Sequence, residues 1–243
     1  MNIVSLSGGK DSTAMLLMML ERGEDIHSIV FFDTGWEFPE MVEHINKLKQ
    51  YVWHKYNQKI WTLYPRLPFE YLMMYHISLK PRKKQNIGRV GYGWPSPLRR
   101  WCTARKIDCI NYYHQTLSNP VACIGFGADE IHRVKSESSK RYPLIEWGIT
   151  EADALQYCYD NGFNWGGLYK IFNRVSCFCC PMQRIGELKK LRKHFPDLWE
   201  KMLLWDAIIS TSRECGFRGY KTVHDLDRRF AAEDKQILMF GKQ

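Results

Sequence analysis

The clearest indication of the fold of this chain is the sequence Ser7-Gly8-Gly9-Lys10-Asp11-Ser12. It follows a short apolar segment, Asn2 to Leu6, that predicts a β-strand, and it precedes an almost wholly apolar segment, Thr13 to Leu20, that predicts a buried helix. Glycines let backbone amides approach an anion closely, and the first turn of a helix supplies free N–H groups and a positive dipole end. The lysine of this stretch adds a charge, and its two serines add hydroxyl groups. The sequence therefore predicts a phosphate-binding loop between a strand and a helix.

Strands and helices alternate after this loop. We predict further strands over residues 25–33, 59–63 and 121–127, and further helices over residues 37–56 and 102–117. Another helix is predicted to begin at Thr150, where Thr-Glu-Ala-Asp is typical of a capping box. This alternation predicts an α/β fold with a parallel sheet sandwiched by helices. Beyond Pro181 the pattern is helical only. We therefore expect a nucleotide-binding domain over residues 1–180 and a helical extension, packed on it, over residues 181–243.

Length and composition are those of a globular protein. The chain has 243 residues, of which 45% are hydrophobic and 25% charged, and its formal net charge is 35 − 26 = +9. No apolar run approaches the length of about 18 residues that predicts a membrane span, and the N-terminus does not resemble a signal peptide. We therefore expect a cytoplasmic protein with no membrane partner. Trp101, Trp147 and Trp165 are expected in the core.

A basic segment carries a charge equal to that of the whole chain. Residues 80–107 hold nine lysines and arginines and no aspartate or glutamate. Its part over residues 80–100, the basic loop, is rich in glycine and proline, which predicts an irregular and mobile segment. One interpretation is a solvated surface loop. The other is a lid over a polyanion, either nucleotide phosphates or a tRNA or DNA backbone, with Tyr92 and Trp94 available to stack on bases.

Several blocks of sequence resemble one family. Residues 7–12 resemble the PP-loop of the adenine nucleotide α-hydrolase superfamily, and their spacing fits neither the Walker motif nor the dinucleotide glycine motif. The block Phe31-Phe32-Asp33-Thr34-Gly35-Trp36-Glu37-Phe38-Pro39-Glu40 resembles the strand-end block of phosphoadenosine phosphosulfate (PAPS) reductases. Further blocks resemble the same family in the same order, namely residues 101–107, 125–133, 142–147 and 167–181. The resemblance implies a Rossmann-like (HUP) adenine-nucleotide-binding fold.

The resemblance also implies how the loop would act. The phosphates of ATP or a related adenine nucleotide would be bound by Ser7, Gly8, Gly9, Lys10 and Ser12. Lys10 would also stabilise charge on the leaving pyrophosphate. Asp11 would orient the loop, or alternatively bind Mg²⁺.

Other parts of the implied site come from later blocks. Asp33 and Gly35 follow a predicted strand and would border the adenine and ribose, because ligands lie at the carboxyl ends of parallel strands. Lys106 and Arg133, together with Arg105, would clamp the reacting anion. Lys10 and Arg133 are therefore the expected catalytic residues.

Four of the eight cysteines form a candidate metal site. The spacing of Cys177 and Cys180 lets two thiolates face one metal or cluster. The resemblance adds Cys102 as a remote third ligand, although a tryptophan stands where the family has the preceding cysteine. One interpretation is a [4Fe–4S] cluster, with Cys179 as the fourth ligand or with one iron left open. The alternatives are structural zinc with Cys179 as the fourth ligand, and reduced thiols without a metal.

Three functions remain open. The first, which we favour, is an ATP pyrophosphatase reaction that adenylylates a substrate, for sulfur transfer or a related modification. The second is thiol-dependent reduction of PAPS or adenylyl sulfate. Glu214–Arg218 resembles the catalytic cysteine segment of such reductases, with Cys215 as nucleophile, but lacks its histidine. The third is a nucleotide-binding module without turnover. The first two imply a partner protein that donates sulfur or electrons.

Overall fold

The computed structural model describes residues 1–79, 87–134, 137–210 and 216–240, the last four by their backbone only. The chain divides into two compact units. The sheet unit comprises Met1–Pro65 and Lys106–Ser176, and the cysteine unit comprises Arg66–Arg105 and Cys177–Gln243. The domain boundary at residue 180 stays a prediction, but residues 66–105, which it places in the first domain, group with the C-terminal residues. No local pattern signals this grouping, because it joins segments that are far apart in the sequence.

A parallel sheet organises the sheet unit. Its strands are β1 (Asn2–Leu6), β2 (Ile26–Phe32), β3 (Ile60–Leu63), β4 (Val121–Ile124) and β5 (Lys140–Arg141). They lie in the order β3-β2-β1-β4-β5, and every neighbouring pair is parallel. Val4 on the central strand is paired with Ile29 on one side and with Cys123 on the other. Together with the helices that flank it, this sheet confirms the predicted α/β fold.

Helices make up most of the remaining regular structure. In chain order they are α1 (Lys10–Glu21), α2 (Pro39–Tyr56), α3 (Phe69–Met74), α4 (Trp101–Gln115), α5 (Pro143–Glu146), α6 (Glu151–Asp160), α7 (Leu168–Ile171), α8 (Ile185–His194), α9 (Pro196–Ser210) and α10 (Val223–Phe240). Across the part of the chain that the structure describes, no helix has both the length and the apolar character needed to cross a bilayer.

The core of the sheet unit forms from the apolar runs that predict its elements. In β1, Ile3 and Val4 are fully buried, and α1 is buried along nearly its whole length. Strands of a parallel sheet flanked by helices are nearly continuous apolar runs, and β2 is one. The sequence did not predict β5, because its two polar residues carry no apolar pattern and form a strand only by pairing with β4.

The three tryptophans expected in the core have different surroundings. Trp101 and Trp165 are buried, as predicted. Trp147 is only half-buried, so its prediction is wrong. Its ring lies beneath the Arg22 guanidinium, whose central carbon is 4.1 Å from the ring centroid. A cation over an indole face is stable at a partly exposed position, which explains why this ring need not enter the core.

The strand order places a switch point between β1 and β4. From β1 the chain adds β2 and β3 on one side, and then returns to add β4 and β5 on the other. In open α/β sheets, ligands bind outside the carboxyl ends of the strands at such a point. Residues 7–12 follow β1 there, and the residues after Ile124 follow β4 there. The fold therefore brings the predicted phosphate loop to the place where such sheets bind ligands.

The cysteine unit is helical and contains a buried carboxylate. Asp206 on α9 is 1% exposed, and it accepts hydrogen bonds from Trp94 Nε1 and from the backbone N–H of Val223, each at 2.8 Å. The second bond satisfies a donor at the start of α10. The Trp94 ring packs edge-on against Phe217, with centroids 4.9 Å apart. The prediction that Trp94 is available to stack on bases is therefore wrong, because its ring belongs to the core.

The basic loop is described only in part, since residues 80–86 lie outside the described residues. Gly91 and residues 93–95 are buried. A Cβ on Gly91 would collide with the carbonyl oxygen of Met73, so the loop backbone packs closely on α3. This packing contradicts the prediction of a mobile segment for these residues of the loop. Arg99 and Arg100, by contrast, are exposed.

Candidate functional site

The phosphate loop is shaped by its own hydroxyl groups. Ser7 Oγ and Ser12 Oγ lie 2.9 Å apart, and the backbone N–H of Ser7 donates to Ser12 Oγ at 3.1 Å. Ser12 Oγ also donates to the Gly9 carbonyl at 3.1 Å. Gly8 has φ +84°, and a Cβ there would lie 2.7 Å from Met41 Sδ, so this position requires glycine. The loop is thus held in one shape by contacts of its own side chains and backbone.

Two aromatic side chains bind the loop where α1 begins. Gly9 is the N-cap residue, and no side chain caps the helix there. The backbone N–H of Lys10 donates to Tyr169 Oη at 2.9 Å, and Trp165 Nε1 donates to the Gly8 carbonyl at 2.8 Å. Neither residue is among the site residues predicted from the sequence. The signal that could have found Tyr169 is its place in one of the blocks that resemble the family.

The Lys10 ammonium is paired with two carboxylates. Its Nζ lies 2.8 Å from Asp11 Oδ1 and 2.8 Å from Glu151 Oε2. Burial by itself would lower the pKa of Lys10, but hydrogen bonds to both carboxylates outweigh burial and raise it. The hydrogen bond from Lys10 lowers the pKa of Glu151, whereas burial raises the pKa of Asp11. Glu151 is therefore a second counter-ion of Lys10 beside Asp11. It could not be predicted from a local pattern, because it lies 141 residues away in the chain.

The turn after β2 brings Asp33 and Gly35 to the same edge of the sheet. The Gly35 N–H donates to Asp33 Oδ1 at 2.8 Å, so the carboxylate fixes the turn. Lys106 acts electrostatically on Glu37 in this turn, which places it near the same strand end. Burial raises the pKa of Glu37, and the positive charge of Lys106 opposes this effect.

The segment after β4 closes against the phosphate loop. A Cβ on Gly125 would lie 2.8 Å from the backbone nitrogen of Ser12, so the missing side chain lets the two backbones meet. Arg133 forms an ion pair with Glu130, and its guanidinium carbon is 4.1 Å from the Phe126 ring centroid. The structure therefore brings this segment to the loop. The charge of Arg133 is paired with that of Glu130 in the same segment. The expected role of Arg133 as an anion clamp stays a prediction.

The four candidate metal ligands are neighbours in the cysteine unit. Charges on Cys177, Cys180 and Cys102 all act on Cys179. Burial raises the pKa of the Cys179 thiol well above its ordinary value, and burial also raises the pKa of Cys102. Cys179 is fully enclosed, whereas the other three are partly exposed.

Backbone contacts fix the loop that carries three of these cysteines. The Cys180 N–H donates to the Cys177 carbonyl at 3.2 Å, which makes a turn. Gln183 Nε2 donates to the carbonyls of Cys177 and Phe178, at 3.0 and 2.8 Å. Arg218 donates in turn to the Gln183 carbonyl. The cysteine loop is therefore anchored by residues that the sequence analysis did not single out.

These thiols suit a metal by residue type but do not form a ready ligand set. Among the described residues, no group of three or more histidine, cysteine, aspartate or glutamate side chains is arranged so that it could hold a metal ion. No described cysteine is joined in a disulfide. The iron–sulfur and zinc assignments therefore stay predictions. Cys215 lies outside the described residues.

Comparisons with known proteins agree with this fold and loop. The family described as the phosphoadenosine phosphosulfate reductase domain matches residues 1–183. The uncharacterized protein MJ0066 of Methanocaldococcus jannaschii is 28% identical over 221 residues, which are 85% of this chain and 41% of that protein. The uncharacterized protein MJ0973 of the same organism is 24% identical over 210 residues, 81% of this chain and 45% of that protein. The chain thus spans less than half the length of these relatives.

Proposed function

Because the chain belongs to the phosphoadenosine phosphosulfate reductase domain family, we propose that it binds ATP at residues 7–12 and transfers the adenylyl group to a substrate. The family supports adenine nucleotide binding in general. The choice of ATP, the adenylyl transfer and the use of the product for sulfur transfer or a related modification are the proposal.

The position of the phosphate loop carries this proposal. Residues 7–12 follow β1 at the switch point of the sheet, and the glycine of the β4 segment packs directly on Ser12. The helix α1 begins at this loop, and its N-cap residue Gly9 makes no side-chain cap, so the positive end of the helix dipole lies at this edge of the sheet. A pyrophosphate group carries several charges over a short length, and such a loop binds it through amides and hydroxyls.

The proposed reaction has two displacements. An oxygen of the substrate attacks the α-phosphorus of ATP, the bond between this phosphorus and the oxygen that bridges to the β-phosphate breaks, and pyrophosphate leaves with that electron pair. A sulfur or other nucleophile then attacks the activated atom of the substrate, and AMP leaves. Loop amides stabilise the leaving pyrophosphate. Lys10 would share its ammonium between this group and Glu151, and Asp11 is the carboxylate that would hold Mg²⁺.

One observation weighs against the sulfonucleotide reductase reaction. Arg218 stands where the reductase segment has its histidine, and its guanidinium donates to the Gln183 carbonyl. This contact gives Arg218 a structural role, so the resemblance of the segment to a catalytic one loses weight. The role of Cys215 as nucleophile stays a prediction.

The proposal retains the cysteines and the basic loop as accessory parts. The four neighbouring cysteines would hold a [4Fe–4S] cluster or zinc, and a partner protein would donate sulfur or electrons. The exposed Arg99 and Arg100 support a role of the basic loop in binding tRNA or DNA as the modified substrate.

Calorimetric titration with ATP and with PAPS tests the choice of nucleotide. We expect ATP to bind at least about tenfold more tightly than PAPS, a difference of about 1.4 kcal/mol. The variant Cys215→Ser should keep ATP affinity and the formation of AMP and pyrophosphate. Tighter binding of PAPS, with loss of sulfite formation in Cys215→Ser, would establish the reductase reaction instead. Binding of ATP without any turnover would favour the non-catalytic module.

A further inference from the structure

A tryptophan in a strained backbone conformation contacts the phosphate loop. Trp165, Gly166 and Gly167 are consecutive residues with positive φ, at +51°, +58° and +88°. Glycine adopts such values readily, but a bulky residue does so only where its surroundings hold it there. Trp165 is also 1% exposed. Its contacts should therefore explain why the strain is tolerated.

The contacts of Trp165 include the loop, the helix α2 and, through His44 of that helix, the first turns of α1. Its Nε1 donates to the Gly8 carbonyl at 2.8 Å. Its ring is stacked on His44, with centroids 4.5 Å apart. His44 Nε2 lies 3.1 Å from the hydroxyl of Thr13 in the first turns of α1. The strained segment thus contacts the loop directly through Trp165, and it also sets the position of the residues that follow it in the chain.

Tyr169 follows two residues after this strained segment. Its ring meets the Trp165 ring edge-on, with centroids 4.8 Å apart, and its Oη accepts the Lys10 N–H at 2.9 Å. A Cβ on Gly9 would lie 3.3 Å from this Oη and 3.7 Å from Ser7 Oγ. Two hydroxyl oxygens therefore border the space that the missing side chain of Gly9 leaves open.

We propose that Tyr169 is a phosphate ligand, whose hydroxyl donates a hydrogen bond to a phosphoryl oxygen bound over Gly9. This inference rests on the proposed function, and it adds to the loop a ligand from a distant segment. The Tyr169 oxygen already accepts from Lys10, so its own proton is left to donate to an anion. Burial raises the pKa of Tyr169, so the hydroxyl keeps this proton at neutral pH.

Calorimetry on Tyr169→Phe tests the proposal with three probes: inorganic pyrophosphate, ATP and adenosine. We expect affinity for pyrophosphate and ATP to fall by about tenfold or more, the effect of losing one hydrogen bond to a charged group, while adenosine is unaffected. Tyr157→Phe is the matched control, because it removes a hydroxyl of the same unit that is bonded to Glu21 instead. Unchanged or increased affinity for pyrophosphate in Tyr169→Phe would overturn the proposal. Tyr169 would then occupy the Lys10 N–H in the absence of an anion and would not bind the anion itself.

A second variant separates a ligand from a residue that only supports the loop. A ring-fluorinated tyrosine at position 169 has a more acidic hydroxyl, and its phenolate can accept from Lys10 but cannot donate to phosphate. Pyrophosphate affinity of this variant, relative to that of the parent at the same pH, should therefore fall with rising pH, and the comparison at equal pH removes the effect of the ionisation of pyrophosphate itself. A ratio of the two affinities that stays level would overturn the ligand role. If the parent binds neither ATP nor pyrophosphate, the proposed function itself fails, which is a different result from either of these.

Discussion

The two glycines of the phosphate loop have different reasons to be glycine. Gly8 has a left-handed backbone, and a Cβ there would meet Met41. Gly9 has an extended backbone, with φ −72° and ψ 169°, that any residue adopts, and a Cβ there would face only the hydroxyls of Tyr169 and Ser7. The first glycine is therefore needed for the backbone conformation of the loop, whereas the second has no such need and fits the proposed role of leaving space for a ligand.

This difference predicts that a substitution at Gly9 affects nucleotide binding and that a substitution at Gly8 affects the free energy of unfolding. Gly9→Val should keep the free energy of unfolding within about 1 kcal/mol, because valine adopts the extended backbone of this position and its Cβ crowds only the Tyr169 hydroxyl, and it should abolish adenine nucleotide binding. Gly8→Ala should lower the free energy of unfolding by about 1–3 kcal/mol, because of backbone strain and crowding. Urea unfolding and calorimetry check both. Full nucleotide affinity in Gly9→Val would contradict the assignment of the loop as the phosphate site.

Burial of His44 predicts a specific pH dependence of stability. Burial, with a smaller contribution from the charge of Lys47, lowers the pKa of His44 from 6.5 to about 3. The unfolded chain therefore binds a proton that the folded chain does not bind between these values. Stability should fall as the pH falls from about 6.5 toward 3, by up to about 1.4 kcal/mol per pH unit from this residue.

Urea unfolding of the parent and of His44→Gln between pH 7.5 and about 4.5 measures this contribution. Glutamine can keep a hydrogen bond to Thr13 but does not titrate, so the slope of stability against pH should become shallower. His54 on the same helix is exposed, and His54→Gln is the matched control that should leave the slope unchanged. An identical slope in His44→Gln and the parent would show that His44 is not buried in its neutral form.

Among the elements, those with a clear apolar period were predictable from sequence. β1 to β4 and the helices α1, α2 and α4 lie within a few residues of their predicted bounds. The capping box that begins α6 is confirmed, since the Thr150 N–H donates to Asp153 and the Asp153 N–H donates to Thr150 Oγ1. These features depend on residues that are close in the sequence, so a local sequence pattern predicts them.

The partners of the loop depend on distant residues, and no local pattern carries them. Glu151 reaches Lys10 only because α6 packs on α1. Tyr169 reaches the first turn of α1 only through the strained residues 165–167. The sequence therefore predicts a phosphate-binding loop, but not the distant residues that contact it.

The prediction of a metal site concerns the cysteine loop and the start of α4. We expect anaerobically purified protein to be brown and to absorb broadly near ~400 nm, as thiolate-bound iron–sulfur clusters do. Cys102→Ala, Cys177→Ala and Cys180→Ala should each bleach it. Cys109→Ala is the matched control, because Cys109 lies on the same helix as Cys102 but binds the Tyr64 carbonyl. Colourless protein with stoichiometric zinc by elemental analysis would establish the zinc alternative. Protein without any metal would support the remaining alternative, reduced thiols that bind no metal.

At the scale of the whole molecule, the proposed chemistry is divided between two units. The phosphate loop, the Asp33 turn and Tyr169 belong to the sheet unit, whereas the four candidate metal ligands and the basic loop belong to the cysteine unit. We predict that changes in the basic loop leave ATP affinity unchanged, so that one variant can test the polynucleotide substrate.

The prediction for the basic loop follows from its charge. If the loop binds a tRNA or DNA backbone, each phosphate contact releases counterions, and affinity must fall steeply as salt rises. Removing four basic residues together should flatten the plot of log affinity against log salt by up to about 3 units and leave ATP affinity unchanged. The residues to change to alanine are Lys83, Lys84, Arg99 and Arg100.

A control that removes the same charge from the sheet unit changes Lys47, Lys49, Lys55 and Lys59. Because total charge is equal in the two variants, only contact with the loop can make their slopes differ. Equal slopes, or a parent that binds neither tRNA nor DNA at low salt, would exclude a polynucleotide at this loop and leave a small molecule as the substrate.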